Sequence, residues 1–178
     1  MVDDARAGER PLLRDADADD LAWVLDAHRT IYLDDLGWPA SFLPVVAGLL
    51  AELGPRLLAV RDDPGRRERA WIAEVAGERA GAVFLVAHDA DPAAAKLRML
   101  VVTERARGHG VGSALVAATI AFAREAGYRR IDLWTEDSLV VARRLYARAG
   151  FRIVAAAPSE TVPGNTAETW RLDLVPAS

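Results

Sequence analysis

The sequence predicts a mixed α/β fold with one parallel strand–helix–strand crossover. Three observations lead there. Apolar residues recur at helical spacing through the first third of the chain, from about Leu21 to Leu53. The period then switches to that of extended chain, where residues 70–75 and 82–86 flank a Gly77-Glu78 turn as a hairpin. Finally, an apolar run over 97–102 leads into a glycine-rich turn, beyond which Val111, Leu115, Ala118 and Phe122 share one helical face.

The elements follow in order. Residues 11–13 read as a short first strand. The acidic stretch 15–20 suits a helix N-terminus. The helix is expected over 18–33, with Leu21, Val24, Leu25, His28, Ile31 and Tyr32 as its apolar stripe. Gly37-Trp38-Pro39 breaks it. A second helix starts near Ser41 and buries Phe42, Val45, Val46, Leu49, Leu50 and Leu53, and Gly54-Pro55 is expected to end or bend it. Residues 61–68 form a loop with a turn at Asp63-Pro64-Gly65, and the hairpin follows. A loop over 88–94 feeds the strand at 96–102. The helix after the glycine turn ends near Gly127, a residue suited to the left-handed conformation just past a helix. A strand at 131–134 comes next. Ser138 then opens a helix over 139–149, closed by Gly150. Strands at 151–155 and 169–174 flank a polar loop with a Pro163-Gly164 turn.

Composition narrows the function classes. With 178 residues, 52% of them hydrophobic, the chain has the size and apolar content of one ordinary domain. A single domain is expected over 10–175, with flexible termini at 1–9 and 176–178. A formal net charge of −4 gives no general attraction to nucleic acid or to an acidic membrane. The absence of cysteine excludes disulfides, a covalent cysteine and thiolate metal sites, and suits a reducing cytoplasm, the expected location. The first ten residues are polar and mixed in charge, unlike a signal peptide. The longest apolar run, 113–123, is too short to span a bilayer. Three scattered histidines without cysteine point to no metal.

The chemistry concentrates in Arg105-Ala-Arg107-Gly108-His109-Gly110-Val111-Gly112-Ser113. Alternating glycines permit φ > 0 and a close approach of ligand to backbone. The first turn of the following helix has N–H groups without intrahelical partners, and the macrodipole adds partial positive charge. Two arginines complete a site for a phosphate or pyrophosphate. The stretch lacks the Gly-Lys-Ser/Thr of a P-loop, since Gly112-Ser113-Ala114 follows. A G-x-G-x-x-G dinucleotide fingerprint would need its third glycine at Ser113.

Arg107-Gly108-His109-Gly110-Val111-Gly112 matches the R-x-x-G-x-G/A pattern of the GNAT superfamily of acetyl-CoA-dependent N-acetyltransferases. Leu145-Tyr146-Ala147-Arg148-Ala149-Gly150-Phe151 is similar to that family's second element, L-Y-x-x-x-G-F, at the family's separation. The resemblance extends over about 10–174 and is sharpest over 97–151. It implies the GNAT fold, a central, mostly antiparallel sheet with one parallel crossover and flanking helices. It also implies acetyl-CoA as cosubstrate. On the matching positions, the backbone of Leu100, Val101 and Val102 would pair with the pantetheine arm. The amides from Gly108 through His109, Gly110, Val111 and Gly112 to Ser113 would hold the pyrophosphate beside Arg107. Tyr146 would lie near the sulfur as general acid. Moving a proton from a phenol of about 10 to a thiolate of about 8.5 is uphill by roughly 2 kcal/mol, tolerable for a transient donor.

The acceptor side is less sharply marked. Candidates for the general base are Glu104, Glu136, Asp137 and His28. Glu136 and Asp137 end the strand before the Tyr146 helix, near where an acceptor would enter, and could equally cap that helix. His28 and Tyr32 are four apart and share a helix face. With Gly37-Trp38 they resemble a subgroup of GNAT domains often fused to winged-helix regulators, and Tyr32 and Trp38 would wall an acceptor pocket. The expected activity is transfer of an acetyl group to a primary amine of a small molecule or peptide by direct attack. Nucleic acid and membrane are not expected as partners, and the chain is expected as a monomer or homodimer. A non-catalytic acyl-CoA-binding sensor is the alternative, and a nucleotide or dinucleotide binder a third reading.

Overall fold

The computed structural model describes residues 10–174; the termini expected to be flexible, 1–9 and 176–178, lie outside the described residues. The strands are β1 (Leu12–Asp15), β2 (Arg69–Val75), β3 (Glu78–His88), β4 (Asp91–Val102), β5 (Arg130–Glu136), β6 (Arg152–Pro158) and β7 (Thr166–Asp173). They form one sheet in the order β1-β2-β3-β4-β5-β7-β6. Every neighbouring pair is antiparallel except β4 and β5. A parallel pair needs a long crossover, and α3 (Val111–Glu125) supplies it.

Because strand side chains alternate across the pleat, the sheet supports two cores. Ile72, Ala82, Phe84, Val86 and Val101 face α1 (Ala18–His28) and α2 (Phe42–Ala59). Ala73, Val83, Leu85, Leu97, Ile131 and Leu133 face α3 and α4 (Val140–Arg148). Asp17 caps α1: its carboxylate accepts from the Asp19 and Asp20 amides, while Asp20 accepts from the Asp17 amide. Fully buried Asp20 also accepts from Arg14 of β1 at 2.6 and 2.9 Å and from Arg79 of β3 at 2.6 Å. Burial alone would raise the Asp20 pKa; hydrogen bonds from Arg14, the Asp17 amide and Arg79 overcome it and hold the carboxyl well below the usual range. This cluster pins the start of α1 to the sheet.

The structure departs from the sequence expectations in several places; one is Val45, expected on the buried side of α2 and half-exposed in the structure. Regular α-helix stops at His28, and residues 29–35 widen into a π-type turn in which the Leu36 N–H donates to the Ile31 carbonyl, five residues back. Gly54-Pro55 does not end α2, which continues to Ala59. Gly54 lets α2 pack directly on α1, where a Cβ would lie 2.6 Å from Leu21 Cδ1, and buried Leu57 anchors the last turn. The loop expected over 88–94 shrinks to a tight turn, because β4 already starts at Asp91, with Pro92 at the strand end where proline is tolerated. Ser138 does not cap α4; its hydroxyl accepts from Asn165 Nδ2 instead. Finally, the chain does hold a helix long and apolar enough to cross a membrane by length and composition, namely α2. Here it lays Val46, Leu50, Leu53 and Leu57 against the sheet.

Candidate active site

β4 and β5 pair from Ala94↔Arg130 to Leu97↔Leu133 and no further. Both strands continue, β4 to Val102 against β3 and β5 to Glu136 against β7. Past Leu97 their facing edges therefore part, and backbone groups of 98–102 on that edge lack a strand partner. A bulge accompanies the parting. Ala82 pairs with Val101 and Phe84 with Arg98, so Met99 and Leu100 together stand opposite Val83. Met99 has φ +58°, a left-handed conformation that costs a non-glycine residue about 1–2 kcal/mol. A bulge bends its strand and strengthens the local twist, which turns β4 away from β5.

The parted end of β4 runs through a 3₁₀ turn, Glu104–Ala106, into the glycine turn. Gly108 (φ +83°) and Gly110 (φ +72°) are left-handed, and Gly110 caps α3 without a side-chain hydrogen bond. The first N–H of this helix to find a backbone partner is that of Ala114, on Gly110 O at 2.9 Å. The amides of Gly108, Gly110, Val111, Gly112 and Ser113 donate to no acceptor among the described residues. The His109 amide differs from the expectation: it donates to Ala106 O at 3.3 Å and is used by the turn itself. Gly112 serves packing, since a Cβ there would sit 3.1 Å from Leu145 Cδ2 of α4 and 3.6 Å from Val102 Cγ2. Arg105 and Arg107 are exposed and form no ion pair among the described residues. Bare amides at a helix N-terminus, with the unpaired Arg107 in the same turn, can bind a diphosphate; Arg105 borders the second cavity instead.

A cavity of about 590 Å³ opens where the strands part. Leu97, Arg98, Met99 and Leu100 of β4 and Trp134 and Thr135 of β5 form its floor. His28, Tyr32, Trp38 and Phe42 form one wall, Leu139, Ala142 and Tyr146 the other, and Pro158, Glu160 and Thr161 border it. The wide turn at 29–35 gathers the aromatic wall. The Trp38 N–H donates to Tyr32 O at 2.8 Å, and the Tyr32 ring lies 4.7 Å from Trp38, 4.9 Å from Phe42 and 5.6 Å, stacked, from His28.

Tyr146 is buried on α4, its ring 5.9 Å from Phe151 and 6.3 Å from Trp170. Arg143, on the same helix, donates to both oxygens of Glu168 on β7 at 2.9 and 3.1 Å, and Trp170 Nε1 donates to Glu168 as well. This fork fixes α4, and with it the phenol, against the sheet. Burial, with a smaller contribution from Tyr32, raises the Tyr146 pKa well above that of a free phenol; burial pushes Tyr32 up to about 12. Both hydroxyls stay protonated at any physiological pH.

His28 is buried, and its Nδ1 lies 2.7 Å from Val24 O. A carbonyl cannot donate, so Nδ1 carries the proton and Nε2 keeps a lone pair. Burial pulls its pKa down to about 4 against the opposing pull of that hydrogen bond, so the ring is neutral near pH 7.

Of the four base candidates, only His28 lines the cavity. Glu136 is fully buried and accepts from Ser159 Oγ at 2.6 Å, while Ser159 Oγ accepts from the Thr161 and Val162 amides. Glu136 thus anchors the β6–β7 loop that carries the cavity rim, and burial raises its pKa despite the Ser159 hydrogen bond. Asp137 accepts from the Thr166 amide. Exposed Glu104 borders a separate cavity of about 680 Å³ between α1 and the β2–β3 hairpin. Leu100 lines the main cavity; Val101 packs under α2 and Val102 toward α3, which leaves only their backbone for a ligand. Sequence reasoning missed Arg98, Phe42 and Trp134 as cavity residues. Arg98 carried a signal, a charge in the middle of an otherwise buried strand. Phe42 read as a core residue, and Trp134 only as part of a strand. Among the described residues no group of three or more His, Cys, Asp or Glu side chains could hold a metal ion.

Residues 25–151 match the family model described as the acetyltransferase (GNAT) family. The N-acetylaspartate synthetases of Rattus norvegicus and Homo sapiens are each 35% identical over 96 residues, 54% of this chain and 32% of the relative. The chain therefore spans about a third of the length of these curated relatives. An acetyltransferase of the GNAT family from Staphylococcus aureus Mu50 superposes with a TM-score of 0.72 at 16% identity, covering 93% of this chain and 99% of that one. The structure of yncA from Salmonella typhimurium, solved with its cofactor acetyl-CoA, superposes at 0.71 with 18% identity, covering 95% and 96%. The parted strands, the bare-amide turn and a family match over more than two thirds of the chain converge, and the chain belongs to the GNAT acetyltransferase family.

Proposed function

We propose that this protein transfers the acetyl group of acetyl-CoA to a primary amine of a small molecule or peptide by direct attack. The observation that carries this reading is the continuity of the site: free backbone on β4 leads from the bare-amide turn into a cavity containing Tyr146 and His28. The donor set suits acetyl-CoA. Arg107 and the amides of Gly108, Gly110, Val111, Gly112 and Ser113 would hold the diphosphate, and the β4 edge at 98–102 would accept the amides of the arm as an added strand. When bound, acetyl-CoA supplies a thioester carbonyl open to nucleophiles.

The residues divide the remaining work. An alkylamine of pKa about 10.4 is neutral near pH 7.4 at a cost of roughly 4 kcal/mol. An imidazole of pKa about 4 cannot strip the free ammonium, because the gap of about six units amounts to roughly 9 kcal/mol. His28 Nε2 therefore accepts a hydrogen bond from the neutral amine and aims its lone pair. The nitrogen becomes acidic only as its bond to the carbonyl carbon forms, and its proton then leaves by way of Nε2 to solvent. Tyr146 hydrogen-bonds the departing sulfur as the C–S bond breaks; its raised pKa makes full transfer costlier than for a free phenol, and the thiolate takes its proton from water through this hydroxyl. The products are the N-acetyl amine and free coenzyme A.

Thiol release from acetyl-CoA in the presence of an amine panel tests the proposal. Amine-dependent release supports it. Tight acetyl-CoA binding without release across the panel contradicts it and favours the non-catalytic sensor.

A further inference from the structure

Arg98 stands on the cavity floor with no hydrogen bond and no ion pair among the described residues. Lys96, two residues earlier on the same face of β4, is neutralised by Asp89. The carboxylates whose charge reaches Arg98, Asp89 and Glu52, do not close on it. Its surroundings are mainly aromatic and aliphatic: Phe84 is its partner on β3, Tyr32, Phe42, Val46 and Leu49 share the cavity, and the carboxylate of Glu160, which also borders it, forms no ion pair with Arg98. Burial penalises the charge and lowers the Arg98 pKa, so a counter-ion placed there would recover lost solvation. The fork of the guanidinium matches a carboxylate in shape. The bare Nε2 of His28, an acceptor for an amine, borders the same space.

We propose that the acceptor amine carries a carboxylate, as in an amino acid, and that Arg98 binds it. The proposal rests on the acetyl-transfer reading above and adds the chemical class of the acceptor. Binding the carboxylate at Arg98 orients the amine toward His28 and the thioester. Acceptors without the anion leave the half-buried guanidinium unpaired, so the site disfavours them.

The test uses the full chain and matched pairs: amino acids against their C-terminal amides, with acetyl-CoA as donor and thiol release as readout. The expected result is a kcat/KM advantage of about 10- to 100-fold for the carboxylate member of at least one pair. Arg98→Met should abolish that advantage, and Arg98→Lys should restore part of it. A carboxylate could also enter on the donor, so succinyl-CoA is compared with acetyl-CoA. Arg98-dependent preference for succinyl-CoA, or equal rates for acids and amides, overturns the proposal. If no amine is acetylated, the thermal shift produced by the amino acids in the presence of coenzyme A decides. Carboxylate-dependent stabilisation lost in Arg98→Met supports binding at Arg98 although the acetyl-transfer reading has failed; its absence overturns both.

Discussion

Replacing His28 with glutamine should flatten the acid side of the stability profile. In the folded chain the imidazole is buried, donates to Val24 O and has its pKa pulled down to about 4; in the unfolded chain it returns to about 6.5. The folded-state pKa is depressed, so the unfolded chain binds the extra proton first. The stability His28 contributes is complete above pH 6.5 and is lost as pH falls toward 4. Between pH 7.5 and 4.5 the linkage amounts to about 2.5 kcal/mol. The carboxyl of Asp20, depressed far lower, begins to act only below its unfolded value of about 3.8, and Glu136, whose pKa burial raises, titrates alike in both proteins, so the difference between their profiles belongs to the histidine. Glutamine can still donate to Val24 and does not titrate. Urea unfolding at a series of pH values would give wild-type stability falling by about 2.5 kcal/mol more than that of the variant across this range. Parallel profiles for the two proteins would refute the neutral, buried assignment and the bare Nε2 that follows from it.

Tyr146→Phe keeps the ring packed on Phe151 and Trp170 and removes only the hydroxyl, so kcat should fall by about 10²- to 10⁴-fold with little change in acetyl-CoA affinity; unaltered turnover on a verified amine would exclude the acid role. Gly110→Ala places a side chain at φ +72°, a cost of about 1–2 kcal/mol, and calorimetric melting should occur about 2–8 °C lower. Asp20→Asn weakens the pairing of Arg14 and Arg79 with the start of α1. It should lower stability at neutral pH by about 2–4 kcal/mol, a deficit that shrinks as pH falls below about 3.8, where the unfolded carboxyl takes up a proton and the native one does not; a constant deficit down to pH 2 would argue against the charge as its cause.

The glycine turn was legible because its physics is local. Alternating glycines, flanking arginines and the switch from strand to helix all lie within one short stretch, and the structure places bare amides there. The crossover was legible for the same reason. The bulge at Met99 was not, because it depends on the register between β3 and β4, separated in sequence by a turn the local pattern read as a longer loop. Without the bulge, neither the parting of β4 from β5 nor the place of Arg98 on the cavity floor can be derived. The roles of the carboxylates were also hidden, since Glu136 and Asp137 serve the β6–β7 segment, which lies far along the chain. The helical stripe correctly grouped His28 with Tyr32, but only the widened turn after His28 brings Trp38 and Phe42 against them.

Amide hydrogen exchange with and without coenzyme A tests the central claim most directly. Saturating coenzyme A should slow exchange at Gly108 and at Gly110 through Ser113, and along the free edge of β4 over 98–102, whereas NAD at the same concentration should leave both unchanged. Unchanged exchange at these amides with coenzyme A, or equal protection by NAD, would contradict the account.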